Sequence, residues 1–193
     1  MKNLFIEKII QLNKDKLIKS YKSNEIIFFE AQKCECVSII LKGSIYMTSM
    51  YNDREIKFNF LKKHSMFGQN LIFNTNQEYK ANVVASGNTT ILHLNKNDFI
   101  SSLQDKSIIE DYLKFMSEFT LTDKETIKIL KIQKLEDKIL YILNTNKGVY
   151  RFKNISQFSI YLGVSRETLS REITKMCLEH KISRIKNTLH LIK

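Results

Sequence analysis

Arg166, Glu167, Ser170, Arg171 and Thr174 stand at i, i+1, i+4, i+5 and i+8, so a helix carrying them gathers them on one face. An arginine fork can bind O6 and N7 of guanine, and a carboxylate can accept from N4 of cytosine, both in a DNA major groove. The opposite face, Leu169, Ile173 and Met176, is apolar at i, i+4 and i+7 and should turn inward. Two arginines and a glutamate also make an ordinary solvated face, so the flanking segments decide. Ser165 has the side chain of an N-cap, and Gly163 offers the positive φ of a tight turn. Upstream, Asn154-Ile155-Ser156-Gln157 has capping-box spacing. It opens a short helix whose Phe158, Tyr161 and Leu162 can pack against Leu169 and Ile173. Residues 182–192 alternate around Lys186-Asn187-Thr188, as a two-stranded wing would. Helix, glycine turn, helix and hairpin make a winged helix-turn-helix. Its expected DNA-facing set is Ser165, Arg166, Glu167, Ser170, Arg171 and Lys175, with Ser156 and Gln157 from the preceding helix.

The charge distribution points the same way. Residues 131–193 hold 13 Lys and Arg against 5 Asp and Glu, whereas residues 1–130 hold 18 against 15. Most of the net +11 therefore sits on the last third, the footprint of a phosphate-binding module. A basic amphipathic helix on a membrane competes poorly, because the apolar faces are needed for the module's own core. No apolar run approaches a membrane span, and charge interrupts residues 1–8, so no secretory signal is expected. Three cysteines, an odd number, argue against a disulfide framework and for the cytoplasm. No nucleophile–base pairing, phosphate-cradling glycine loop or zinc signature is visible, so an enzyme is not expected.

The expected fold class is α+β. A β-roll occupies residues 1–106, a dimerisation helix 107–133 and the winged helix-turn-helix 134–193. Periodicity predicts an opening helix over 4–21, with Ile6, Ile9, Ile10 and Leu17 on one side. Strands are expected at 25–29, 37–41, 45–50, 56–61, 81–85 and 90–94, with turn glycines at Gly43 and Gly87; such spacing suits a double-stranded roll. Over 107–132, Ile109, Tyr112, Leu113, Met116, Phe119, Ile127 and Leu130 form a stripe near coiled-coil spacing, interrupted at Asp123 and Thr126. Such a helix packs on its own roll or on a second copy. The second reading is favoured, with Ile109, Tyr112, Leu113, Met116, Phe119 and Ile127 at the interface, because a two-fold protein reads two half-sites one DNA turn apart.

In this order the parts resemble the CRP/FNR (cAMP receptor protein / fumarate–nitrate regulator) family of bacterial transcription factors, over nearly the whole chain. Gly163 to Arg171 is similar to the family's recognition-helix signature. Leu41-Lys42-Gly43-Ser44-Ile45 resembles its strand-glycine-strand turn, and Met66-Phe67-Gly68-Gln69-Asn70 its phosphate-binding cassette. The resemblance implies a homodimer on an inverted repeat of double-stranded DNA, with Arg166, Glu167, Ser170 and Arg171 reading bases. It leaves recruitment of RNA polymerase open. Relatives with the first arginine tend to read TGTGA-like half-sites, and those with the Glu, Ser and Arg set TTGAT-like ones; both sets are present here, so a G-containing repeat is expected.

The resemblance also maps a ligand pocket onto Phe67, Gly68, Gln69, Asn70, Tyr79, Lys80 and Asp123, where the chain departs from the cyclic-nucleotide binders. Gln69 stands where they place a ribose-holding glutamate, Tyr79-Lys80 where they place the phosphate-binding Arg-Ser pair, and Asp123-Lys124 near their adenine-contacting Thr-Ser pair. Cyclic AMP is therefore not expected. An iron–sulfur cluster needs more cysteines than Cys34, Cys36 and Cys177 supply. His64, His93, His180 and His190 show no metal or haem spacing, so no cofactor is expected. Two alternatives stay open: a ligand- or redox-sensing regulator switched through the roll or through Cys34 or Cys36, and a non-DNA signalling module acting through a protein partner.

Overall fold

The computed structural model describes residues 4–192, which divide into two compact units meeting between Met116 and Ser117. In the first, α1 (Leu4–Leu12) is followed by β1 (Ile18–Tyr21), β2 (Ile26–Phe28), β3 (Cys36–Lys42), β4 (Ser44–Tyr51), β5 (Arg54–Lys62), β6 (Met66–Phe67), β7 (Asn82–Ala85), β8 (Thr89–Asn95) and α2 (Lys96–Ser102). Two antiparallel four-stranded sheets, ordered β1-β8-β3-β6 and β2-β7-β4-β5, make the expected double-stranded roll. Val37, Ser38, Ile39 and Ile40 are all buried, so β3 is covered on both faces. That explains why its apolar residues do not alternate with exposed polar ones, and the buried Ser38 among them is bonded to His93 Nδ1 at 2.9 Å.

The opening helix is shorter than the 4–21 that periodicity predicts. It ends where the buried Asn13 donates from Nδ2 to the Ile9 carbonyl (2.9 Å) and to Ser102 Oγ (2.8 Å). That bond satisfies one of the carbonyls a helix end leaves free. The chain then turns, and residues 18–21 pair with β8 as a strand. Leu17 and Ile18 extend the helical spacing only by coincidence. α2 is also new, announced by Asn95, whose Oδ1 accepts from the Asp98 amide at 2.9 Å.

α3 (Lys106–Lys131) is continuous across the unit boundary. Its apolar residues form two rows where the sequence suggests one. Ile108, Tyr112 and Phe115 face their own roll: Ile108 is buried, the Tyr112 ring lies 5.4 Å from Phe5 and 5.6 Å from Phe99, and Phe115 lies 5.7 Å from Phe5. The other row, Ile109, Leu113, Met116, Thr120, Asp123, Ile127 and Leu130, alternates steps of four and three, as a coiled-coil seam does. Ile109, Leu113, Ile127 and Leu130 in it are exposed. Tyr112, expected in the dimer stripe, is committed to the core of its own unit instead.

The second unit adds α4 (Leu135–Thr145), β9 (Val149–Arg151), α5 (Ile155–Leu162), α6 (Arg166–Leu178), β10 (Ile182–Ile185) and β11 (Thr188–Leu191). Phe158, Leu162, Leu169, Ile173 and Met176 are buried together, as the sequence pattern requires. The wing is a three-stranded sheet, β10-β11-β9, rather than a two-stranded hairpin, since Val149–Arg151 pairs with β11. Lys138 of α4 is buried and donates from Nζ to the Leu162 carbonyl at 2.8 Å, tying α4 to the end of α5.

Gly163 closes α5 at φ +70°, where an L side chain is strained, and a Cβ there would lie 2.9 Å from Leu130 Cδ2. Gly163→Ala should cost roughly 1–2 kcal/mol through the left-handed backbone. It would be read as a lower urea midpoint at unchanged slope.

Candidate nucleic-acid interface and the interior of the roll

α6 is capped as its sequence requires: Ser165 Oγ accepts from the Thr168 amide at 3.1 Å. Asn154 Oδ1 accepts from the Gln157 amide at 2.8 Å and caps α5 in the same way. These two caps fix where each helix begins, and so which side chains point outward. Ser165, Arg166, Glu167, Arg171 and Thr174 are exposed, with Ser170 half-buried among them. On the adjoining helix Ser156 is exposed and Gln157 half-buried. The Glu167 carboxyl is held below the usual carboxylate range by its own backbone N–H, by the Ser165 hydroxyl and by Arg166 and Arg171. It is ionised at neutral pH and can only accept hydrogen bonds. Lys175 is less free than its position suggests. Its Nζ lies 3.9, 3.5 and 3.9 Å from carboxylate oxygens of Glu136, Glu172 and Glu179, which offset its charge.

The wing carries basic residues that the sequence reading did not group. Arg151, Lys153 and Lys186 line an open hollow of about 600 Å³ together with Phe152, Asn187 and Thr188. Asn187 Nδ2 donates to the Lys153 carbonyl at 2.8 Å, Arg184 Nε donates to the Lys186 carbonyl at 2.9 Å, and the Arg184 guanidinium lies 5.8 Å from the Phe152 ring centre. The signal was the charge excess of the last third. What pairing could not be read without was β9, which brings Arg151 and Lys153 beside the hairpin.

In the roll, the cassette's residues separate. Phe67, Gly68, Gln69 and Tyr79 are buried, whereas Asn70 and Lys80 are exposed, Lys80 with its Nζ 3.8 Å from Glu78. Asp123 lies exposed on α3 in the second unit. Gly68 has φ +85°, and a Cβ there would come within 2.7 Å of the Cys36 carbonyl oxygen, so only glycine lets the two strands approach. Tyr79 fills the interior: its ring stacks on Phe28 at 4.6 Å, and its hydroxyl accepts from the Cys34 thiol at 3.5 Å. Burial pushes the Tyr79 phenol far above its ordinary pKa, so it stays neutral. Gln69 Oε1 is buried without a hydrogen-bond partner among the described residues.

Beside Tyr79, His93 sits on β8 with both ring nitrogens engaged. Nε2 lies 2.9 Å from Tyr21 Oη, and Nδ1 lies 2.9 Å from Ser38 Oγ and 3.6 Å from Cys36 Sγ. Burial, with a smaller contribution from Lys19, lowers its pKa to about 4. The unfolded chain binds this proton near pH 6.5 and the folded chain only near 4. The stabilisation is therefore complete above pH 6.5 and is lost as pH falls toward 4, up to roughly 3 kcal/mol. Urea midpoints between pH 7 and 5 should show this slope, and His93→Gln should flatten it. Among the described residues no helix is long and apolar enough to cross a membrane. Nor does any group of three or more His, Cys, Asp and Glu there form a metal site.

Residues 18–106 match the cyclic nucleotide-binding domain family. None of the curated proteins matches the sequence. Among solved structures, a mutant of CooA from Carboxydothermus hydrogenoformans superposes with a TM-score of 0.70 at 16% identity, over 95% of this chain and 86% of its own. CprK complexed with OCPA gives 0.74 at 13% identity, over 97% of this chain and 92% of its own. CLP of Xanthomonas campestris, a c-di-GMP-responsive global regulator, gives 0.62 at 14% identity over 98% of each chain. The winged unit and the roll are thus shared with regulators at identities that carry the fold alone. Residues 18–106 thus match the cyclic nucleotide-binding domain family, and the chain shares its fold with these solved regulators.

Proposed function

We propose that the chain is a sequence-specific DNA-binding transcriptional regulator, not an enzyme, that acts as a homodimer on an inverted-repeat operator. The observation that carries this reading is the exposed face of α6. Arg166, Glu167 and Arg171 project there from a helix fixed by Ser165, next to a wing bearing Arg151, Lys153, Arg184 and Lys186. Base readers on one helix and phosphate-seeking cations on the neighbouring hairpin are the two parts a specific complex needs. A module acting only through a protein partner gives no reason for that arrangement. The exposed seam of α3 supports pairing of two copies, since Ile109, Leu113, Ile127 and Leu130 leave an apolar row facing solvent in a single chain.

Cyclic AMP does not fit this roll. The place of the family's phosphate-binding arginine is taken by a buried, neutral tyrosine, and the nearest cation, Lys80, points out beside Glu78. The altered cassette favours a DNA-binding unit that needs no inducer, with the roll as a scaffold, over a roll that binds another small molecule.

Selection of binding sites from random duplex DNA by the purified chain, without added ligand, should return a two-fold, G-containing repeat. Salt-sensitive binding with no enriched sequence would reject constitutive recognition. Arg171→Ala should cost roughly 1–3 kcal/mol on the selected site and relax one base pair. Neutralising Lys186 should weaken all sequences alike and flatten the salt slope by about one unit. If Arg171→Ala leaves specific and non-specific affinity unchanged, α6 is not the reading helix.

A further inference from the structure

The tip of the wing holds an arginine whose setting phosphate contact alone does not explain. Arg184 Nε donates to the Lys186 carbonyl at 2.9 Å, and its guanidinium lies 5.8 Å from the centre of the Phe152 ring. That ring is itself stacked on the buried Phe158 of α5, 5.0 Å away and 15° from parallel. The side chain is ordered before any partner arrives, although the residue is exposed. Its remaining N–H donors have no partner among the described residues. Ordering a long side chain in advance removes a cost that binding would otherwise carry. Next to it, Ile185 is 63% exposed between Arg184 and Lys186.

No carboxylate competes for these groups. The chain has no Asp or Glu in residues 138–166 or 180–193. Arg151, Lys153, Arg184 and Lys186 form no ion pair among the described residues, whereas Lys175 lies within 4 Å of three glutamates. Two bonds fasten the tip to the chain that leads into α5. The Asn187 carbonyl accepts from the Phe152 amide at 2.9 Å, and Asn187 Nδ2 donates to the Lys153 carbonyl at 2.8 Å. Asn154 caps α5, so the tip is tied beside the first turn of that helix. With α6 in a major groove, the helix before it crosses the sugar–phosphate strand bordering that groove. Beyond that strand lies the minor groove, and the wing tip is what the fold places there.

We propose that Arg184 reads the minor groove beside each half-site, so that base pairs flanking those read by α6 become part of the operator. The inference rests on the reading of α6 as the major-groove helix. A·T-rich duplex has a narrow minor groove with an enhanced negative potential, which attracts a guanidinium. A G·C pair adds the guanine N2 amino group to the groove floor, a donor set against donors. Arginine has no acceptor to offer it, so G·C pairs at the flank are disfavoured. Ile185 suits the same place, because the sugar walls of a minor groove can cover an apolar side chain. A contact with phosphates alone would leave it in water. Arg151, Lys153 and Lys186 remain for the phosphates on either side and carry no sequence preference of their own.

The test uses the full-length chain and duplexes that carry the selected repeat and differ only in the base pairs flanking each half-site. A·T flanks should bind about tenfold tighter than G·C flanks. Inosine in place of guanine at those flanks removes the N2 amino group and leaves the major-groove face unchanged, so it should restore most of the loss. Arg184→Lys keeps the charge but not the planar fork, and should cut the A·T preference to about twofold or less. The base pair read by Arg171 should still be discriminated in that variant. Arg184→Ala should lose the preference as well and flatten the salt slope by about one unit. Flank-indifferent binding by the parent, a preference that inosine does not restore, or one that survives intact in a folded Arg184→Ala variant would overturn the role of Arg184 and leave the reading of α6 standing. A parent that selects no half-site would overturn both.

Discussion

Leu113→Asp is expected to turn the proposed dimer into a monomer and to weaken operator binding by about 100-fold or more. Leu113 is 60% exposed in the single chain and lies in the outward row of α3, so its removal leaves the core of its own unit intact. Around a two-fold axis a seam residue meets its own symmetry mate. One substitution therefore removes two leucines from an apolar contact, each worth roughly 1.5–3 kcal/mol when fully buried, and sets two carboxylates against each other. The sum exceeds the roughly 3 kcal/mol that corresponds to a hundredfold. Sedimentation should show the monomer, thermal stability should fall by the lost association energy and become independent of protein concentration, and half-site binding should persist at high protein concentration. Asp123→Leu acts in the opposite direction, because Asp123 occupies a seam position where a pair of copies gains from an apolar side chain. A Leu113→Asp protein that stays dimeric would place the interface elsewhere.

Tyr79→Ala should destabilise the first unit by about 3–5 kcal/mol, the range for removing a large buried ring. The residue is 2% exposed, stacked on Phe28 and bonded to the Cys34 thiol, so its loss empties the centre of the roll and takes one acceptor from that thiol. Chemical denaturation gives the magnitude. A small aromatic such as phenol, at millimolar concentration, should restore part of the loss in this variant and not in the parent, because binding to the native state alone raises stability. Destabilisation below about 1 kcal/mol would mean that the interior collapses around the gap, and that Tyr79 is not what fills it.

Much of the architecture was legible because the relevant signals are local. β4, β5, β7 and β8 fall where runs of apolar and β-branched residues stand between polar turns. The caps of α5 and α6 were written in Asn154 and Ser165, and the division of α6 into an inner and an outer face follows from spacing alone. β1 was lost because Leu17 and Ile18 prolong the helical period, and only the buried partners of Asn13 reveal the break. β9 is three residues long and is defined by its pairing with β11. The two rows of α3 were merged for a similar reason. Tyr112 and Leu113 are adjacent and both apolar, and which of them faces the roll depends on Phe5 and Phe99, far away in sequence.

The candidate site divides along the same line. Arg166, Glu167 and Arg171 could be placed by periodicity, whereas the company of Lys175 depends on Glu136 in another helix. Phe67, Gly68, Gln69 and Tyr79 do come together in the roll, yet Tyr79 acts there as filling. That role is set by contacts with Phe28 and Cys34 across the sheets, which no spacing rule reports.

The side chain of Leu130, the last seam residue of α3, lies against Gly163 at the turn between α5 and α6. Seam positions Asp123, Ile127 and Leu130 and the reading helix therefore belong to one body. In the proposed dimer this makes the end of α3 a ruler. The distance between the two reading helices is set by how the final turns of α3 cross, and hence so is the number of base pairs separating the operator's half-sites. Changes elsewhere in the roll can weaken or strengthen the pair without altering that spacing, whereas adding residues between Asp123 and Leu130 should select operators with a different gap.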